Sequence, residues 1–199
     1  MAGPVVVVVA AAGRAEVARA AAAVRPEAGE SAVMQLLRAC KHLLTPDFVA
    51  LKPFPSATLD RIEQAISRSE QTHSGELRLA LEGGMEPLDV IRGMHARDRA
   101  LQLFAHLRVW DTEHNSGVLI YLQLVDQRIE IVADRGINGK VAQSEWDAIC
   151  RRMESAFRAG AFEVGALQAV TEITELLSRH FPPGDDNPDE LPDRPVIVV

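Results

Sequence analysis

Residues Trp110 to Gly139 read WDTEHNSGVLIYLQLVDQRIEIVADRGING. From Gly117 to Leu124 the run is almost wholly apolar (Val118, Leu119, Ile120, Tyr121, Leu122), which predicts a strand covered on both faces. Val125-Asp126-Gln127 interrupts it, and Arg128 to Ala133 resumes with Ile129, Ile131 and Val132. So short a break permits only an antiparallel hairpin, because a parallel return needs a crossover of roughly a dozen residues or more. The loop entering the first strand (Asp111, Glu113, Asn115) and the loop leaving the second (Asp134) therefore belong at one end of the sheet.

Upstream, Pro53 and Pro55 punctuate the chain and Ser56 is placed to cap a helix over Ala57 to Thr72. Glu76 to Glu82 (ELRLALE) alternates with Leu77, Leu79 and Leu81 on one face, the pattern of a half-buried strand. Pro87 opens an apolar stripe (Leu88, Ile91, Met94, Leu101, Phe104) that reads as one long helix to about Leu107. Strand, helix and strand from Glu76 to Leu124 make a βαβ unit, hence a parallel pair. Downstream, Ser144 begins a helix carrying Trp146, Ile149, Cys150, Met153 and Phe157, closed by Gly160. A last helix runs from about Glu163 to His180 and stops at Pro182-Pro183. The expected fold class is α/β: a small mixed sheet, a βαβ unit plus a hairpin, with helices on both faces.

Four segments follow. Residues 1–33 are rich in valine and alanine without amphipathic register, and read as an N-terminal extension, disordered or lying ahead of a functional start at Met34. Residues 34–55 form a lead-in helix and linker, 56–182 the α/β domain, and 183–199 an acidic, proline-rich tail. In the lead-in, Met34, Leu36, Leu37, Cys40, Leu43 and Leu44 form one stripe, with Arg38, Lys41 and His42 opposite. Packing on the domain is the plain expectation; contact with a membrane surface or a partner is the alternative.

Hydrophobic content of 47% and charged content of 25% are ordinary for a globular chain. The net charge of −7 argues against a nucleic-acid binder or a polybasic membrane-surface protein. Asp185, Asp186, Asp189, Glu190 and Asp193 stand against Arg194 alone, so −4 of that charge sits in the tail, which reads as solvated, with recruitment of a divalent cation as the alternative. Cys40 and Cys150 lack zinc-type spacing and both fall on helix stripes, as small core residues in a reducing compartment, the cytoplasm. The longest apolar run, Val5 to Ala12, is about half the length of a membrane span. No organic cofactor and no internal repeat is implied. The terminal Pro195-Val196-Ile197-Val198-Val199 is strand-prone and suited to join its own sheet, a second copy or a partner.

Asn115-Ser116-Gly117-Val118-Leu119-Ile120-Tyr121, Arg128-Ile129-Glu130-Ile131 and Asp134-Arg135-Gly136-Ile137-Asn138-Gly139 resemble, in order and spacing, the TPM domain. Phe157-Arg158-Ala159-Gly160-Ala161-Phe162, followed by Gly165-Ala166-Leu167, continues the match, which covers Ser56 to Pro182. The family takes its name from a plant thylakoid-lumen acid phosphatase, a photosystem II protein and a nematode acetylcholine-receptor modulator. A short bacterial branch without leader or anchor is similar in Arg97-Asp98-Arg99-Ala100, in Arg108 to Glu113 and in the acidic ending. The resemblance implies an α/β sandwich, divalent cation binding in some members, phosphatase activity in the plant relative, and roles in membrane-complex assembly for others.

Hard oxygen donors converging from separate loops suit Ca²⁺ or Mg²⁺. The candidate metal ligands are Asp111, Glu113, Asn115 and Asp134, with Glu76 as an outer ligand and Arg135 as a phosphate-binding group. The plain alternative is that these polar residues cap strand ends. Two functions remain in view: a divalent-cation-responsive or partner-binding module, and a metal-dependent phosphatase acting on phosphomonoesters. Walker, Cys-x5-Arg and D-x-D-x-[TV] signatures are missing, so no catalytic residue is assigned.

Overall fold

The computed structural model describes Val7–Val8, residues 32–184 and residues 189–198. Five strands form one sheet: β1 (Val7–Val8), β2 (Glu76–Glu82), β3 (Gly117–Gln123), β4 (Arg128–Ala133) and β5 (Val196–Val198), in the order β1-β4-β3-β2-β5. β2 and β3 are parallel, β3 and β4 form the antiparallel hairpin, and β5 adds to β2 in parallel. The C-terminal valines thus complete their own sheet. β1 pairs with β4 at Val132 and Ala133, a contact with no signature in the sequence. The rest of the first 31 residues, including the expected extension, lies outside the described residues.

The helices are α1 (Ala32–Leu44), α2 (Asp47–Ala50), α3 (Ser56–Glu70), α4 (Pro87–Ile91), α5 (Ala96–His106), α6 (Arg135–Asn138), α7 (Gln143–Arg158) and α8 (Phe162–His180). On one face Leu77, Leu79 and Leu81 of β2 and Val118, Ile120 and Leu122 of β3 meet α3, α7 and α8 through Ile62, Ile66, Trp146 and Ile173. On the other face Leu119, Tyr121 and Val132 pack with Ala100, Leu103 and Phe104 of α5. Each buried aliphatic or aromatic side chain contributes about 1.5–3 kcal/mol relative to exposure, so the hairpin register is strongly held.

Two elements differ from expectation for identifiable reasons. The long helix after Pro87 is two helices, because Gly93 adopts φ 91°, in the left-handed region, and His95 is extended. The Asp98 carboxylate then accepts the His95 N–H at 3.1 Å and starts α5 anew. β2 is buried at all seven positions, not on one face only. Its polar side is covered: Arg99 of α5 forks onto Glu82 with Nη2–Oε1 at 2.7 Å, and the Tyr121 hydroxyl donates to the other Glu82 oxygen.

Cys150 is buried, as expected of a core cysteine, but Cys40 is exposed. α1 docks through its polar side, which turns its apolar stripe outward. Arg38 pairs with Asp126 in the hairpin turn at 2.6 Å and donates to the Met94 carbonyl at 2.7 Å. Lys41 donates to the Val125 carbonyl. His42 Nδ1 accepts the Met85 N–H at 2.9 Å, leaving the ring proton on Nε2, 3.2 Å from Asp126 Oδ1.

Candidate functional site

The hairpin brings Asn115 and Asp134 to one end of the sheet. Asp134 N–H donates to the Gly117 carbonyl at 2.9 Å, and Gly136 N–H to the Asn115 carbonyl at 3.0 Å. Two glycines permit this closeness. A Cβ on Gly117 would lie 1.9 Å from the Val109 carbonyl oxygen, and one on Gly136 2.6 Å from the carbonyl oxygens of His114 and Asn115. Asp134 caps α6, its Oδ1 accepting the Arg135 N–H at 2.6 Å. Its Oδ2 is buried without a hydrogen-bond partner, and burial pushes the carboxyl pKa up against the pull of Arg135. Arg135 donates from Nε to Asn115 Oδ1 at 2.9 Å, so the cation considered for phosphate is held over this loop.

Asp111 and Glu113 are exposed, and the backbone N–H of Glu113 donates to both carboxylate oxygens of Glu190 at 3.1 Å. Glu76 stands elsewhere at the same sheet end. Its N–H bonds the Ser116 carbonyl at 3.2 Å, and Ser116 Oγ bonds the Ser74 carbonyl at 2.8 Å, which ties the start of β2 to that of β3.

Beyond this seam β5 reaches only as far as Ala80, so the first residues of β2 present unpaired edge groups. Side chains fill the gap. Glu70, the last residue of α3, accepts the Leu77 N–H at 2.9 Å, and Glu76 accepts the Leu191 N–H at 3.1 Å. The second bond draws the tail in: Leu191 is buried against the α5 side of the sheet, and Arg194 is held by Glu63 at 2.7 Å. The described part of the tail is therefore anchored at Leu191, while Asp189 and Glu190 stay exposed to solvent as the acidic composition predicts.

Glu70, Glu76 and Asp189 result as a triad whose ligand oxygens all lie within 4.8 Å of one another; among the described residues no other group of three acidic, histidine or cysteine side chains meets that spacing. They open onto a cavity of about 400 Å³ also lined by Ser67, Gln71 and Asp193. Burial raises Glu70 to about 9, with the charges of Glu76 and Asp193 adding to it. Glu76 rises to about 7 through burial and the neighbouring Asp189 and Glu190, while Asp189 is raised by burial and by Asp193. Buried Arg78 is close enough to Asp193 and Glu70 for their charges to act on it. Asp193 Oδ1 is buried with no hydrogen-bond partner. The donors are all hard oxygens, and the C-terminal end of α3 adds its negative dipole, so the chemistry of the cavity fits a divalent cation.

Of the residues read from sequence, the structure unites Asn115, Asp134 and Arg135, places Glu76 in the triad, and leaves Asp111 and Glu113 on the surface. Glu70 was missed, and Asp189 and Asp193 were read only as part of the acidic tail. One signal existed: a glutamate closing a helix is of the wrong sign for that position, where a cation is favoured.

The sequence profile of the TPM domain matches residues 52–176. The chain belongs to the TPM domain family. A solved relative is the BA42 protein from the psychrophilic bacterium Bizionia argentinensis, determined by NMR. It is 30% identical, aligns over 72% of this chain and 94% of its own, and superposes with a TM-score of 0.65. No curated protein matches the chain. None of the described helices is long and apolar enough to cross a membrane.

Proposed function

We propose that this TPM domain is a divalent-cation-responsive module whose ion site is the cavity of Glu70, Glu76 and Asp189. The convergence of three carboxylates within 4.8 Å, all three with raised pKa values, supports this reading. Glu70 keeps its proton at neutral pH and Glu76 shares one, so a cation that enters exchanges for protons, and the exchange alters how the tail is held at β2. Asn115 and Asp134, with exposed Asp111 and Glu113 in the adjoining loop, are the alternative ion site at the same sheet end.

Titration with Ca²⁺ and with Mg²⁺, followed by amide chemical shifts, separates the two. The N–H groups of Leu77 and Leu191 donate to Glu70 and Glu76, so ion capture at the triad shifts those amides first. Shifts confined to Asn115, Arg135 and Gly136 move the site to the loop, and no localised shift removes it. The second reading, a metal-dependent phosphomonoesterase, draws support from the family and from Arg135 beside Asp134, a positive charge suited to phosphoryl oxygens. Metal-dependent turnover of a phosphomonoester, lost in Asp134→Asn, establishes it; inactivity across pH and metals rejects it.

A further inference from the structure

α1 is inverted relative to an ordinary surface helix. Arg38, Ala39 and His42 face the domain, whereas Val33, Leu36, Leu37, Leu43 and Leu44 are 56–77% exposed, and Phe48 on α2 is 78% exposed. Helical spacing puts Val33, Leu37, Cys40 and Leu44 in one outward line, with Leu36 and Leu43 beside it. The exposed surface of these residues, backbone included, is roughly 700 Å², comparable with the ~800 Å² each partner contributes to a standard interface.

We infer that this face is the two-fold interface of a homodimer, α1 packing antiparallel on α1 of a second copy. Charge and area select this occupant. The outward line carries no charge, so it meets itself without repulsion, as an isologous contact requires. An anionic membrane surface asks for basic side chains around an apolar face, and the ammonium and guanidinium groups of α1 are already engaged, Arg38 on Asp126 and exposed Lys41 on the Val125 carbonyl. At full coverage of these residues two copies together bury up to about 1,400 Å², inside the range of stable complexes. The inference is independent of the ion site, which lies at the other end of β2.

Sedimentation and light scattering of the full chain test it, with Leu37→Asp/Leu44→Asp as the variant. Both positions are exposed, so far-UV circular dichroism and the response of the Leu77 amide to cation stay unchanged. The wild type is expected at twice 21.7 kDa and the double variant at 21.7 kDa. Because each aspartate enters the interface twice, the dissociation constant rises by about 100-fold or more. Cys40 supplies a second readout: it is exposed on the face while Cys150 is buried, so mild oxidation covalently links wild-type dimers but not Cys40→Ser. Four results overturn the inference. They are a monomeric wild type at ~100 μM, set well above typical non-obligate affinities, a dimer indifferent to the double substitution, co-sedimentation of wild type but not variant with phosphatidylglycerol/phosphatidylcholine vesicles, and a monomer that Leu37→Asp destabilises. The last two reassign the face to lipid and to the chain's own N-terminal residues.

Discussion

Ion binding at the triad is coupled to proton release, and the coupling has a calculable size. At pH 7 Glu70, raised to about 9, is protonated, and Glu76, raised to about 7, is half so. A cation coordinated by both displaces about 1.5 protons at pH 7 and about 0.1 at pH 10. Apparent affinity then strengthens by about 100-fold from pH 7 to pH 9, since each proton costs about 1.4 kcal/mol per pH unit below its pKa. The two carboxyls interact, so these values belong to the pair. Calorimetry of Ca²⁺ binding in buffers of different ionisation enthalpy measures the released protons directly. Glu70→Gln removes one ligand and about one proton, leaving only about a twofold pH dependence over the same range. A cation that binds at pH 7 with no proton release, or with equal affinity at pH 7 and pH 9, is not held by Glu70 and Glu76, and the proposed site fails.

Glu130 gives a stability test away from the site. Burial raises it to about 8 against Arg97 and Arg128, from 4.5 in the unfolded chain, and its Oε2 is buried without a partner. The folded state therefore binds the extra proton between those values, and stability falls as pH rises from about 4.5 to about 8. Glu130→Gln should stabilise by up to about 3 kcal/mol at pH 7 and by little at pH 4.5, as urea unfolding at both pH values would show. Gly117→Ala drives a Cβ against the Val109 carbonyl oxygen and should cost about 3 kcal/mol or more, whereas Gly139→Ala, with nothing within 4 Å, stays within about 1 kcal/mol. Comparative thermal melts decide between them. Burial pushes Asp126 up, but hydrogen bonds from His42 and Arg38 outweigh it and hold the carboxyl below the usual range. Its contribution is present at neutral pH and lost as pH falls through that lowered pKa. Asp126→Asn should thus loosen α1 by about 2–3 kcal/mol, read as faster amide hydrogen exchange at Ala39 and Lys41 with β3 amides unaffected.

The three-residue break at Val125-Asp126-Gln127, the apolar runs on either side and the alternation of β2 are local patterns. They sufficed for the hairpin, the parallel β2–β3 pair and the α/β class, because strand period and loop length leave few ways to connect neighbouring elements, while the TPM family came from the resemblance of particular motifs, among them Asp134 to Gly139. Asn115 and Asp134 could be placed together from the sequence for the same reason. Glu70, Glu76 and Asp189 could not. Their meeting depends on β5 stopping at Ala80, on the exposed edge of β2 needing acceptors, and on Leu191 drawing the acidic tail onto the sheet. The inversion of α1 is of the same kind: periodicity showed two faces, but which one turned inward depended on the ion pair with Asp126, more than 80 residues away in the chain. Short-range periodicity determined the elements, and specific motifs their kinship; the pairing of distant charges and edges decided where the chemistry gathers.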